Sequence, residues 1–269
     1  MDGTGGAGVV GWPVAAASLS LVVLALVLGW ALGLRISRDV AVAAVRAAAQ
    51  LLAVGAVLLL IFESAWADWL ALSWVAVMVV VASAVVRRRA RSRTSARIPW
   101  MAPVTVAVVL VSATVSLVVT FGFGVLPYEP ASVVVIAGIT IGNAVPSAVL
   151  AVDQAVGRCR DRIGEIEAAL ALGLGRRQLV RFVAPRAARS AIIPQVERTK
   201  VVGLIALPGT MTGLLLAGVD PVDAVIVQLL VMYLVLGTAA LCVTALVGTV
   251  AVAVTDGRGG VAGWVRARA

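Results

Sequence analysis

Residues able to do chemistry are sparse in this 269-residue chain, and those inside its apolar runs are amides, hydroxyls, thioethers, a thiol and one arginine. Arg46 and Gln50 stand one helical turn apart in the run Val40–Phe62. Asn143 follows Gly138-Ile139-Thr140-Ile141-Gly142, and Met211 and Thr212 follow Leu207-Pro208-Gly209. Such groups can hold a polar solute or carry an interhelical hydrogen bond, and in an apolar segment they mark a candidate pathway. Histidine is absent altogether. That excludes histidine-based triads, H-E-x-x-H zinc sites and histidine-ligated haem within this chain. Cys159 falls near the end of one apolar run and Cys242 inside another, which does not make a disulfide framework. Any metal would have to meet carboxylate, amide, hydroxyl, backbone carbonyl or the sulfur of Met and Cys.

No phosphate-binding loop is present. Lys200 is the one lysine, and Arg198-Thr199-Lys200-Val201 is not G-x-x-x-x-G-K-[ST]. The chain is therefore not expected to hydrolyse ATP alone, and no cofactor is expected in it. If ATP drives it, ATP and Mg belong on a separate ATPase subunit.

With 62% hydrophobic residues, only 13% charged and a mean hydropathy of +1.09, the chain is well above the roughly 45–50% apolar share of a soluble domain. Unbroken Ala, Val and Leu runs of about 20 residues point to helices, where a barrel strand would alternate over about 10. The expected fold is an all-α integral membrane protein with about seven spans, near 13–34, 40–62, 69–86, 100–121, 131–152, 201–219 and 224–254. These form a single transmembrane domain over 1–269, with a charged cytoplasmic arm at about 156–200. Trp12, Trp66, Trp69, Trp100 and Tyr128 fall at span ends, as interfacial anchors do.

Charge fixes the expected orientation. All 22 basic residues except Arg46 fall at Arg35 and Arg38, in Arg87–Arg97, in Arg158–Lys200, or at Arg258, Arg266 and Arg268. The alternate connections carry acids, namely Asp2, Glu63, Asp68, Glu129, Asp220 and Asp223. Placing the basic segments inside puts the N-terminus outside and the C-terminus in the cytoplasm. The net charge of +9 then reflects topology and anionic lipid, not nucleic-acid binding. Asp2 is the one charge before the first span, so a positive signal-peptide n-region is missing and that span is expected to stay.

The arm feeds the interrupted sixth run, and the stretch Arg158–Gly213 organises the chain. Ile163, Ile166, Leu170 and Leu174 share one helix face, which can dock on a partner. Gly173 and Gly175 offer left-handed turns that end this helix, after which Arg176-Arg177-Gln178 resumes a basic amphipathic segment. Gly29/Gly33, Gly138/Gly142 and Gly209/Gly213 each form G-x-x-x-G, a close-packing pattern.

The run Glu167-Ala168-Ala169-Leu170-Ala171-Leu172-Gly173, then Lys200–Gly213, then Leu216-Ala217-Gly218-Val219-Asp220-Pro221, resembles the FetB/YbbM family of ABC-transporter permeases. Gly138–Asn143 and Arg46 to Gln50-Leu51-Leu52 are similar to the family's other motifs, so the likeness covers about residues 35–255. The resemblance implies a seven-span permease in the inner (plasma) membrane, working as a homodimer with a cognate ABC ATPase and linked to iron export. It assigns ATPase coupling to Glu167, Ala168, Ala169 and Gly173. The family often carries Met where this chain has Ile139, Val145 and Thr210, so thioether ligands are fewer here.

The expected translocation site lies near mid-membrane, around Asn143 and Leu207-Pro208-Gly209, with Arg46, Gln50, Met211 and Thr212 as further pathway residues. Proline frees a carbonyl one turn earlier, near Leu204, and Gly209 lets the chain bend. Against this stands a plain reading: a structural kink, with Asn143 as an interhelical hydrogen bond and Arg46 snorkelling to the inner surface. The alternative function is an ion-gradient-driven secondary transporter, which would show intramembrane Asp, Glu or His for coupling. An intramembrane hydrolase is a third class, for which this chain has no histidine base.

Overall fold

The computed structural model describes residues 12–33, 37–93, 98, 100–124, 126–203, 207–256 and 260–266. Several sequence expectations fall outside these residues: the span-flanking charges Asp2, Arg35, Arg97, Arg258 and Arg268, and the freed carbonyl near Leu204. The described residues form helices with no named strand. The chain divides into two compact units, Met1–Ala67 and Asp68–Ala269.

In the first unit α1 (Trp12–Ala31) packs on α2 (Ser37–Phe62). Gly33 lies beyond α1 with φ 64°, in the left-handed region that glycine favours. It is a turn residue, so Gly29/Gly33 is not the helix-packing pair that the spacing suggests. Arg46 and Gln50 both stand exposed on α2.

The second unit begins with α3 (Ala67–Arg93) and α4 (Met101–Gly122). Apolar residues at helical spacing are buried on α3 at Ala71, Val75, Val79, Ala82 and Val86. Val75, Val79 and Ala82 share a core with Val109 and Ala113 of α4 and with Val133, Ala137 and Ile141 further on. The buried stripe of α4 also contains hydroxyls. Thr105, Ser116 and Thr120 each donate to a carbonyl four residues earlier, at 2.6–2.8 Å, so no polar group is stranded.

Two long helices form the centre, α5 (Pro130–Asp161) and α9 (Pro221–Val252), each of 32 residues. At 1.5 Å per residue each is about 48 Å long, more than a ~30 Å hydrocarbon layer needs. Between them in sequence lie α6 (Ile163–Ala171), α7 (Arg176–Lys200) and α8 (Gly209–Leu216), and α10 (Gly263–Arg266) follows. Small residues let the helices approach: Ala144, Ala148, Ala151 and Ala155 of α5 are buried with Ala187 and Ala191 of α7. A Cβ added at Gly138 would come into ordinary contact with Met78 Cε at 3.8 Å, so the glycine lies beside α3. Outward-facing Val80, Val81, Leu110, Val111, Val118 and Ile226 give these helices a lipid-compatible exterior.

Among the described residues, five helices are long and apolar enough to cross a membrane, with a shorter apolar stretch at Leu19–Ala31. The protein is an all-helical, multi-pass membrane protein. The expected sixth span is different in kind. Its described part is a turn at Val201–Gly203, extended backbone at Leu207 and Pro208, and the eight-residue α8. Eight residues reach about 12 Å, so α8 does not cross alone.

The arm also takes a different form. Residues 176–200 are one helix whose residues Leu179, Val183, Ala187, Ala191 and Gln195, four apart, are buried against α5 and α9. This helix packs into the core with its charged residues exposed.

Candidate functional site: a polar cavity at the broken segment

The break before α8 opens a cavity of about 420 Å³ between α5, α7 and α9. Pro208 has φ −66° and ψ 147° and stands as the N-cap of α8, so the chain enters the helix from an extended conformation. Proline here starts a helix and does not kink one. Pro208, Gly209 and Thr210 line the cavity, as do Ile139 and Asn143 of α5, Gln195 and Arg198 of α7, and Gln228 and Met232 of α9.

Asn143 is the polar centre of the α5 wall. Its Nδ2 donates to Ile139 O at 2.8 Å, and its Oδ1 accepts from Arg198 Nη1 at 3.0 Å. A second cavity, of about 160 Å³, lies against the same contact and shares Asn143, Gln195 and Arg198. Pro146 of α5 and Pro194 of α7 also line it. Each proline removes one helical N–H and so loosens its helix there. Gln195 and Gln228 are both buried at 6% exposure, and Gln228 Oε1 has no hydrogen-bond partner among the described residues.

The expected pathway residues divide. Asn143, Pro208 and Gly209 converge on the cavity. Met211 and Thr212 do not line it, because a residue advance of about 100° turns them away once Thr210 faces inward. Thr212 instead donates its hydroxyl to Pro208 O at 3.1 Å and braces the first turn of α8. Arg46 and Gln50 belong to the first unit, on α2. Sequence reasoning missed Gln195, Arg198, Thr210 and Gln228. Gln228 had a legible signal as a lone amide in the apolar run Ala224–Val235, and Gln195 as the polar end of a four-residue stripe.

The expected coupling residues surround α6. Gly173 has φ 82°, donates to Leu170 O at 2.9 Å, and is followed by Leu174 N donating to Ala169 O at 3.0 Å. That paired closure is a Schellman turn, which requires the left-handed residue that Gly173 supplies. Gly175 is not left-handed: φ is −75°, and it caps α7 with its N–H held by Gln178 Oε1 at 2.8 Å.

The apolar face of α6 is already occupied. Ile166 is fully buried, and Ile163, Ala169 and Leu170 pack on the same core as α5, α7 and α9. This corrects the expectation that this face is free for a partner. The opposite side remains open, with Glu165, Glu167 and Ala168 exposed and Leu172 82% exposed. Glu167 accepts from Arg266 of α10 at 2.9 Å. Among the described residues no cluster of three or more His, Cys, Asp or Glu could hold a metal.

Comparison with known proteins agrees with this architecture. Residues 12–254 match the family described as "Uncharacterised protein family (UPF0014)". The chain is 32% identical over 234 residues to the "Probable iron export permease protein FetB" of Escherichia coli (strain K12), covering 84% of this chain and 85% of that protein. It is 31% identical over 221 residues to the "UPF0014 membrane protein STAR2" of Oryza sativa subsp. japonica, covering 82% and 75%. Against "Protein ALUMINUM SENSITIVE 3" of Arabidopsis thaliana it is 30% identical over 224 residues, covering 83% and 80%. No solved structure matches it.

Proposed function

Because the chain belongs to the UPF0014 family of membrane proteins, we propose that it is the membrane-spanning permease subunit of an ABC transporter, exporting iron or a related metal ion. The observation that carries the reading is the polar cavity where α8 breaks, with Asn143, Pro208 and Gly209 on its wall. Broken helices near the membrane midplane are where transporters commonly hold their substrates. With Pro130 at the outer boundary, Asn143 lies about 20 Å along α5, inside a ~30 Å core. The basic last turn of α5, Arg158 and Arg160, then emerges on the cytoplasmic side, in keeping with an N-out, C-in orientation.

The choice of iron takes its support from the printed name of the Escherichia coli relative. Energy comes from a partner ATPase that binds ATP and Mg. Its docking surface is the open side of α6, where Glu167, Ala168 and exposed Leu172 precede the Gly173 turn. Ala169 holds that helix to the core from behind. The permease works as a homodimer in the cell membrane, with two ATPase copies below it. Arg46 and Gln50 on α2 belong to the pathway of the assembled transporter.

The test is association. The tagged full chain, extracted from its own cells, should bring down an ATP-hydrolysing subunit. A chain that purifies alone and transports without one contradicts the reading.

A further inference from the structure

The donor set of the 420 Å³ cavity does not suit a naked metal ion. Its polar lining consists of neutral Asn143, Gln195, Thr210 and Gln228 with cationic Arg198, and none of its lining residues carries a carboxylate or thiol. Arg198 forms no ion pair among the described residues, while neighbouring Lys200 is neutralised by Glu197 at 2.8 Å. The charge at the cavity rim is therefore positive and unbalanced. A hard divalent or trivalent cation takes several anionic oxygens, and a guanidinium repels it. Met232 adds one thioether, a soft donor that does not change this balance.

Two further features point to what the cavity does fit. The N-terminus of α8 opens onto it at Gly209 and Thr210, with no side-chain cap. Its first N–H groups face the side from which an anion is favoured. On the α9 wall Gln228 is 6% exposed, and its Oε1 accepts nothing among the described residues. A buried amide oxygen left without a donor is costly, so a hydroxyl or coordinated water of a bound molecule is its natural partner. An oxyanion at one end and a hydrogen-bond donor at the other describe a hydroxylated organic anion. A volume of about 420 Å³ is that of a small-molecule site, not of a single ion.

We propose that the metal crosses this protein as an anionic hydroxycarboxylate complex. Arg198 and the N-terminus of α8 hold the carboxylate oxygens, and Gln228 Oε1 accepts from the hydroxyl or a metal-bound water. This rests on the permease reading given above and names the form of its cargo. Asn143 acts as a positioning residue, because its Oδ1 anchors one guanidinium nitrogen and leaves the others to meet the anion.

The test uses sealed vesicles holding the full chain and its ATPase, loaded with ferric citrate that carries radioactive iron and radioactive carbon. Both labels should cross together on adding ATP, and ferrous ion supplied without a carboxylate should not. Arg198→Gln should lower transport of both labels about tenfold or more, with Arg198→Lys retaining more of it. Gln228→Leu should weaken citrate binding while leaving the complex assembled. Iron crossing without carbon, or transport indifferent to Arg198→Gln, overturns the inference and leaves the permease reading intact. If iron crosses in no form, the permease reading fails, and calorimetry of citrate with the full chain in nanodiscs judges the anion site alone. Binding abolished by Arg198→Gln upholds that site, and no binding, or binding unchanged by the substitution, rejects it.

Discussion

Arg198 Nη1 donates to Asn143 Oδ1 at 3.0 Å, tying the last turn of α7 to the middle of α5 across 55 residues of sequence. The contact lies between cavities of about 420 and 160 Å³, and both are lined by its two residues. Asn143 can lose its side chain without unmaking α5, since its other bond runs to Ile139 O in the same helix. Asn143→Ala should therefore assemble normally yet transport about tenfold less or worse, as a lost bond to a charged group predicts. Pro208→Ala restores an N–H and lets α8 extend backwards over the break, with the same result. Transport and stimulated ATPase at matched expression measure this, and wild-type transport by both variants would remove the cavity from the path.

Gly173 carries the next prediction. A Cβ there would meet nothing within 4 Å, so Gly173→Val does not clash. Its cost comes from φ 82°, which a β-branched residue tolerates only with about 1–3 kcal/mol of strain. The Schellman turn should open and re-aim α7, lowering stimulated ATPase and transport while membrane insertion persists. Normal coupling in this variant would show that α6 is not the docking element.

The all-helical membrane class and the long apolar helices were legible, because a ~30 Å apolar layer imposes run lengths that the sequence reveals. Gly173 was legible too, as the residue that ends a helix in the left-handed region. The fate of Arg198 was not. Its neighbours read as a charged cytoplasmic segment, and only the packing of the stripe Leu179 to Gln195 on α5 brings that arginine to Asn143. Likewise the face bearing Ile163, Ile166 and Leu170 revealed amphipathicity but not its partner, which is this chain's own core. Periodicity states which side is buried and leaves open against what.

The C-terminal segment gives two substitutions with opposite expectations. Trp264 is 3% exposed in the main core, and its Nε1 donates to Ala253 O at 2.8 Å. Trp264→Ala should cost about 3–5 kcal/mol. Arg266 and Glu167 form an exposed pair, so Arg266→Ala should change stability by less than about 1 kcal/mol. Thermal unfolding of the full chain in detergent distinguishes the two, and equal losses would contradict the placement of this segment.

Orientation is testable by labelling. Cys159 and Cys242 are both buried, so background reaction is low. A cysteine replacing Glu129 should react with an impermeant maleimide from outside intact cells, and one replacing Arg91 only after permeabilisation. The opposite pattern would invert the topology and put α6 on the wrong side for an ATPase.

The most direct measurement is iron movement in sealed vesicles reconstituted with the full chain, its ATPase, or both. The account predicts movement that requires both proteins and hydrolysable ATP, and that an imposed ion gradient does not replace. Movement by the chain alone, driven by such a gradient, would contradict it.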